Sequence, residues 1–118
     1  MAKKESSQKV EGGKSIQNRK ARYDYELIDK YEAGIALVGS EVKSVWLGRV
    51  NMADAYCELR EGELWILNLD IEPYEYASIK KPERRRNRKL LLHRHELDLI
   101  DRRSREKGFT IVPTAMYF

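Results

Sequence analysis

A chain of 118 residues has room for one domain with one modest core. Charged residues make up 36% of it, no window approaches the roughly 18–20 apolar residues of a membrane span, and the basic start leads into no apolar segment of a secretory signal. Cys57 stands alone, so an internal disulfide and a cysteine-based zinc site are both excluded and a reducing cytosol is the expected location.

Residues 1–17 are rich in Lys, Ser and Gly and show no hydrophobic period, which predicts a disordered lead-in to a domain spanning 18–118. Residues 23–28, YDYELI, alternate aromatic or apolar with acid, the period of a half-buried strand. Glu32-Ala33-Gly34 breaks the run. The uninterrupted Ile35-Ala36-Leu37-Val38 then predicts a strand covered on both faces, with Gly34 at a bulge or close approach.

Residues 39–48 predict a short helix capped by Ser40, with Glu41 at its positive end and Val42, Val45 and Trp46 on one apolar face. Gly48 suits the left-handed position that ends it. Residues 53–60 and 63–71 predict a hairpin around Glu61-Gly62, which pairs Leu59 with Leu64, Cys57 with Ile66 and Glu58 with Trp65. On that register Cys57 packs rather than reacts.

Residues 72–89 contain Pro73, Pro82 and a basic run, and read as a long irregular loop. From His93 to Lys107 the pattern is helical, with Leu97 and Ile100 on one face and Gly108 at the end. Residues 109–112 and 115–118 are strand-like, with Pro113 at an edge or bulge. Short strands, one tight hairpin and short helices predict a mainly β, small antiparallel barrel with helices at its openings.

Charge is unevenly spread. Residues 1–22 carry seven Lys/Arg against two acids, residues 23–79 four against twelve, and residues 80–89 seven against one. Two basic blocks around an acidic body form the footprint expected of a polyanion binder, although basic runs also occur as solvated loops. Arg84, Arg85, Arg86, Arg88 and Lys89 offer donors for phosphates, and Asn18-Arg19-Lys20-Ala21-Arg22 adds a second basic site before Tyr23 and Tyr25. Basic residues interleaved with aromatics suit RNA, though either tyrosine could equally pack a strand.

Catalytic signatures are scarce. The chain contains no nucleophile elbow, P-loop or dinucleotide fingerprint, and Ser40-x-x-Lys43 matches a nucleophile spacing that recurs by chance. On a helix, His93 and His95 would point about 200° apart, too far to share a metal. No enzyme activity, catalytic residue, metal or cofactor is expected.

Five blocks, Asn18-Arg19-Lys20-Ala21-Arg22, Tyr31-Glu32-Ala33-Gly34-Ile35, Gly39-Ser40-Glu41-Val42-Lys43-Ser44, Arg88-Lys89-Leu90-Leu91-Leu92-His93 and Gly108-Phe109-Thr110-Ile111-Val112-Pro113, occur in order across residues 18–118. In these blocks the chain resembles the small protein B family, the bacterial SsrA-binding proteins of trans-translation. The resemblance implies an oligonucleotide-binding-type barrel that holds the tRNA-like domain of transfer-messenger RNA. It also implies delivery, with elongation factor Tu, to stalled 70S ribosomes, by a monomer without membrane contact. Family RNA contacts map onto Asn18, Arg22, Tyr25, Glu32, Leu91 and His93. Arg19, Lys43 and the basic run complete the expected contact set.

In that set Glu32 repels phosphate, so it makes sense as an acceptor for a base amino group or 2′-hydroxyl, and Leu91 as an apolar seat for a base or ribose. Charge gathers the RNA and these neighbours select it. The resemblance departs at Val45-Trp46-Leu47, where family members often carry a basic residue, so Trp46 is expected in the core. The family also continues past Tyr117-Phe118 through further strands and a basic tail, which puts tagging by this form in question. Alternative readings are a general single-stranded or ribosomal RNA-binding protein, a metal-dependent nuclease, and a nuclear protein with a basic motif.

Overall fold

The computed structural model describes residues 2–4 (backbone), 15–27, 29–75, 82–106 and 109–118. Its strands are β1 (Ala2–Lys4), β2 (Ile16–Gln17), β3 (Asp29–Lys30), β4 (Gly34–Ile35), β5 (Val50–Asn51), β6 (Tyr56–Arg60), β7 (Glu63–Leu67), β8 (Asp70–Ile71), β9 (Arg88–Leu91), β10 (Ile111–Pro113) and β11 (Ala115–Met116). The helices are α1 (Arg19–Asp24), α2 (Gly39–Trp46) and α3 (Arg94–Ser104).

Five antiparallel strands in the order β10-β6-β7-β9-β4 curl into a half-barrel, and β1 and β3 extend it in parallel beyond β10. Two short ladders, β11 with β2 and β5 with β8, make up the rest of the pairing among the described residues. This is the mainly β barrel with short accessory helices that the sequence implies.

The hairpin β6–β7 follows the expected register, with Cys57 opposite Ile66 and Leu59 opposite Leu64. Its turn places Glu61 at φ 52° and Gly62 at φ 78°, the two left-handed residues of a primed turn. Strand alternation then sends Leu64 and Ile66 into the core with Leu69, Ile71, Leu90, Ile100, Ile111 and Met116. Full burial of one such side chain contributes about 1.5–3 kcal/mol. Cys57 is buried within the same core, and Ile100 anchors α3 there while Leu97 packs at its edge.

Several expectations need correction. The strand expected at 23–28 is absent over 23–27, and Ile28 lies outside the described residues: Tyr23 and Asp24 close α1, and Tyr23 is 91% exposed. The Asn18 side chain decides this by capping α1 at the Ala21 N–H, while Ala21 packs against Val112 with Leu27 and Phe109 alongside. The strand expected at 35–38 reduces to β4, and Gly34 is one of its paired residues, opposite Leu91. The long strand of 63–71 breaks at Asn68, whose φ of 59° turns β7 into β8.

In α2 the cap is also different. Ser40 lies inside the helix, and Glu41 reaches back to accept a hydrogen bond from the Val38 N–H at 3.1 Å. The face turned to the interior carries Glu41, Ser44 and Val45, which leaves Val42 and Trp46 outside. Trp46 is therefore no core residue; it is 43% exposed and its ring meets Phe118 at 5.3 Å. Gly48 does take the left-handed position, at φ 77°. Strand β9 begins within the last two residues of the stretch read as a loop, Pro113 is a buried part of β10, and Gly108 lies outside the described residues. Strands at 2–4 and 16–17 replace parts of the expected disordered lead-in, because β1 pairs with β10 and β3 and β2 pairs with β11; residues 5–14 lie outside the described residues.

Candidate nucleic-acid interface

The basic run is not a uniform cationic surface. Arg88 begins β9 with its side chain on the inner face and has 0% exposure. All five of its N–H donors are engaged. Nε and Nη2 bond Glu41 Oε2 at 2.8 and 2.5 Å, Nη1 bonds the Leu69 and Arg86 carbonyls, and Nη2 also bonds the Arg84 carbonyl. Arg86 grips the same carboxylate, with Nη2 to Oε1 at 2.5 Å and Nε to Oε2 at 3.2 Å.

Glu41 is itself 2% exposed. Burial pushes its carboxyl up, but the bonds from Arg86, Arg88 and the Val38 N–H prevail and hold it below the usual value. Burial pulls the Arg88 guanidinium down from its usual value, against the attraction of Glu41. Of the five cations in this run, Arg88 is thus enclosed, and Arg86, 31% exposed, is tied to the same carboxylate. Arg88 in particular folds the loop, by drawing in the carbonyls of residues 84 and 86.

The remaining basic groups face outward. Arg84 makes a two-pronged pair with Asp70 at 2.9 and 3.2 Å, and Lys89 pairs with Glu63 at 2.5 Å on the outer sheet face. Arg85 reaches Asp54 at 3.7 Å, and Lys20 of α1 reaches the same carboxylate at 3.8 Å. The two basic blocks, more than 60 residues apart in sequence, therefore meet at Asp54. Arg19 and Arg22 are exposed on α1, and Tyr25, 42% exposed, follows at its C-cap.

Asn18 is held inside the protein. It is 5% exposed, its Nδ2 donates to the Met52 and Pro113 carbonyls at 3.1 and 2.8 Å, and its Oδ1 accepts from Ala21 N–H at 3.3 Å. A buried amide so occupied fixes the start of α1 against the two carbonyls.

A second group gathers at one end of the β4–β9 ladder. Leu91, 52% exposed, lies opposite Gly34 at the last pair of that ladder, with Glu32 two residues before Gly34 and His93 two residues after Leu91. Glu32 also accepts a hydrogen bond from the Tyr117 hydroxyl. The strands thus bring Leu91 opposite Gly34, each two residues along the chain from His93 and Glu32 in their respective segments. His93 is the N-cap of α3, outside the helix proper, so its ring stacks on His95 with centroids 5.8 Å apart rather than pointing away as a helical spacing implies. Among the described residues, no group of three or more His, Cys, Asp or Glu is placed to hold a metal ion. Lys43 stands over the Tyr74 ring at 5.4 Å, beside an apolar patch of Val42, Trp46, Leu47 and Phe118.

Reading the sequence alone misses Glu41 and Asp54. Both are single acids in the acidic middle of the chain, and their importance comes from partners 31 to 47 residues away. No helix among the described residues is long and apolar enough to cross a membrane.

Comparison with known proteins places this geometry. The SmpB protein family model matches residues 15–118. An SsrA-binding protein of Carboxydothermus hydrogenoformans is 50% identical over 102 residues, 86% of this chain and 68% of the relative. One from Nitratidesulfovibrio vulgaris is 49% identical over 113 residues, 95% of this chain and 73% of the relative. A chain from a solved structure described as "tmRNA-SmpB: a journey to the center of the bacterial ribosome" superposes with a TM-score of 0.74 at 47% identity, over 88% of this chain and 73% of that one. With the family model covering nearly the whole chain and half of the aligned residues identical, the protein belongs to the SmpB family.

Proposed function

We propose that this protein binds the tRNA-like domain of transfer-messenger RNA and helps deliver it to stalled 70S ribosomes for trans-translation. It acts in the cytoplasm as a monomer, in a delivery complex with elongation factor Tu, and performs no chemistry of its own. The observation that carries the RNA reading is the meeting of Lys20 and Arg85 at Asp54, which merges two distant basic blocks into one footprint. The names and family of the relatives, SsrA-binding proteins, point to the same RNA.

The contact set divides into two jobs. Arg19, Arg22, Lys43, Arg84, Arg85 and Lys89 engage phosphates, which supplies attraction without sequence information. Tyr25, Glu32, Leu91 and His93 meet bases and riboses and decide which RNA stays. Asn18, Arg86 and Arg88 serve from beneath: the first fixes α1, and the other two shape the loop that projects Arg84 and Arg85.

Salt titrations of binding to the tRNA-like domain test this division. Arg85→Gln removes one phosphate contact and lowers the slope of log affinity against log salt by about 0.7–0.9. Glu32→Gln leaves that slope in place and weakens the tRNA-like domain while sparing unrelated RNA. Equal loss on both RNAs contradicts a selecting role for Glu32.

A general single-stranded RNA-binding protein is the second reading, favoured by the exposed Tyr23 and Tyr25 beside α1. Competition between the tRNA-like domain and an unstructured oligonucleotide separates the two. Incubation of labelled RNA with the protein and Mg²⁺ tests for a nuclease, and intact RNA is the expected result.

A further inference from the structure

A cleft lies between α1 and the turn entering β6, at the point where Lys20 and Arg85 meet Asp54. It encloses about 320 Å3, at the low end of the roughly 300–1,000 Å3 usual for small-ligand sites. Lys20, Asp24 and Tyr25 line one side, and Asp54 and Tyr56 the other. Tyr25 and Tyr56 are both partly exposed, at 42% and 38%.

Asp54 marks what the cleft accepts. Lys20 and Arg85 approach its carboxylate from separate segments at 3.8 and 3.7 Å. Those distances exceed the roughly 2.7–2.9 Å of a good charge-assisted hydrogen bond, and all three side chains are exposed, so the pairs are loosely held. A carboxylate and a phosphodiester each present two oxygens sharing one negative charge. The carboxylate thus sits where two cations would otherwise hold a phosphate, and it can turn aside into solvent.

We infer that this cleft binds one unpaired nucleotide of the RNA, with its phosphate replacing Asp54 between Lys20 and Arg85 and its base received between Tyr25 and Tyr56. The inference rests on the RNA-binding reading and adds a subsite to it. An unpaired nucleotide is required because stacking on tyrosine needs a base face that a duplex keeps covered. Continuity with Arg84 and Arg85 on one side and with Arg19 and Arg22 on the other argues for a strand of nucleic acid rather than a free small anion.

The test measures affinity of the full chain for a labelled transcript of the tRNA-like domain, a scrambled RNA and a blunt RNA duplex of equal length. Tyr56→Ala weakens binding of the transcript by roughly tenfold and that of the duplex by less than about twofold, while Tyr56→Phe keeps the ring and restores the transcript. Asp54→Asn removes the competing carboxylate and tightens the transcript by about two- to fivefold. Thermal melts of each variant establish that the protein is folded at the assay temperature. The subsite is overturned if Tyr56→Ala weakens transcript and duplex alike or neither, or if Asp54→Asn weakens the transcript. When the wild type prefers the transcript over scrambled RNA and Tyr56→Ala changes nothing, this subsite alone fails. When the wild type shows no such preference, the RNA reading beneath it fails as well.

Discussion

Arg88 and Glu41 form an enclosed ion pair, Nη2 to Oε2 at 2.5 Å, that joins the first turn of α2 to the start of β9. Ion pairs removed from water are seldom a net source of stability, because desolvation offsets attraction, but breaking one leaves an uncompensated charge inside. The pair therefore matters chiefly for where it places the loop of residues 84–87. Arg88→Met should destabilise the protein by about 3–5 kcal/mol. Adding Glu41→Leu should recover much of that loss, because no buried charge then remains. Urea unfolding of the two single variants and the double variant measures the coupling. Additive losses would show that the two side chains act independently.

Acid should unfold the protein partly through the same carboxylate. Glu41 is held below its ordinary value of 4.5 in the folded state. A carboxyl depressed by folding stabilises the protein above its unfolded value, and that contribution disappears as pH falls through the lower folded value. Stability followed by tryptophan fluorescence should therefore drop as pH falls below about 4.5, and Glu41→Gln, less stable at neutral pH, should drop less steeply. Parallel curves for the two proteins would remove Glu41 from the acid response.

Asn18→Ala separates support from contact. The change removes the α1 cap and strands the Met52 and Pro113 carbonyls, with a cost of about 1–3 kcal/mol. RNA affinity of the folded fraction should weaken with an unchanged salt slope, because the phosphate-binding residues on α1 remain. A slope reduced by a full contact would return Asn18 to the RNA interface.

The turn of the hairpin offers a gain. Glu61 holds a left-handed backbone at φ 52° that costs a side chain of its type, whereas Asn adopts it readily. Glu61→Asn should raise stability by about 0.4–1 kcal/mol without altering RNA binding. A lower melting temperature would mean that Glu61 makes a compensating contact.

The sequence is most legible where structure is local. The β6–β7 register followed from a two-residue turn and strict alternation, and Gly48 from its place after a short apolar run. It is least legible where distant partners decide. The alternation of Tyr23-Asp24-Tyr25-Glu26 suits a strand, yet α1 forms because Asn18 is pinned by carbonyls 34 and 95 residues away. Likewise five neighbouring cations look alike as letters. Glu41, 45 and 47 residues from Arg86 and Arg88, draws Arg88 inside and ties down the half-buried Arg86, which leaves Arg84, Arg85 and Lys89 outside its grip. The expectation for Glu32, Leu91 and His93 rests on the family resemblance, and of the three the β4–β9 ladder itself holds only Leu91.

Competition binding at physiological ionic strength probes the central claim most directly. Purified protein is titrated with the tRNA-like domain of transfer-messenger RNA against a scrambled RNA of equal length and charge. Attraction by the merged basic blocks and selection by the neighbouring neutral and acidic side chains predict a preference of at least about tenfold, about 1.4 kcal/mol, for the folded domain. Indistinguishable affinities would leave only charge at work and contradict the account.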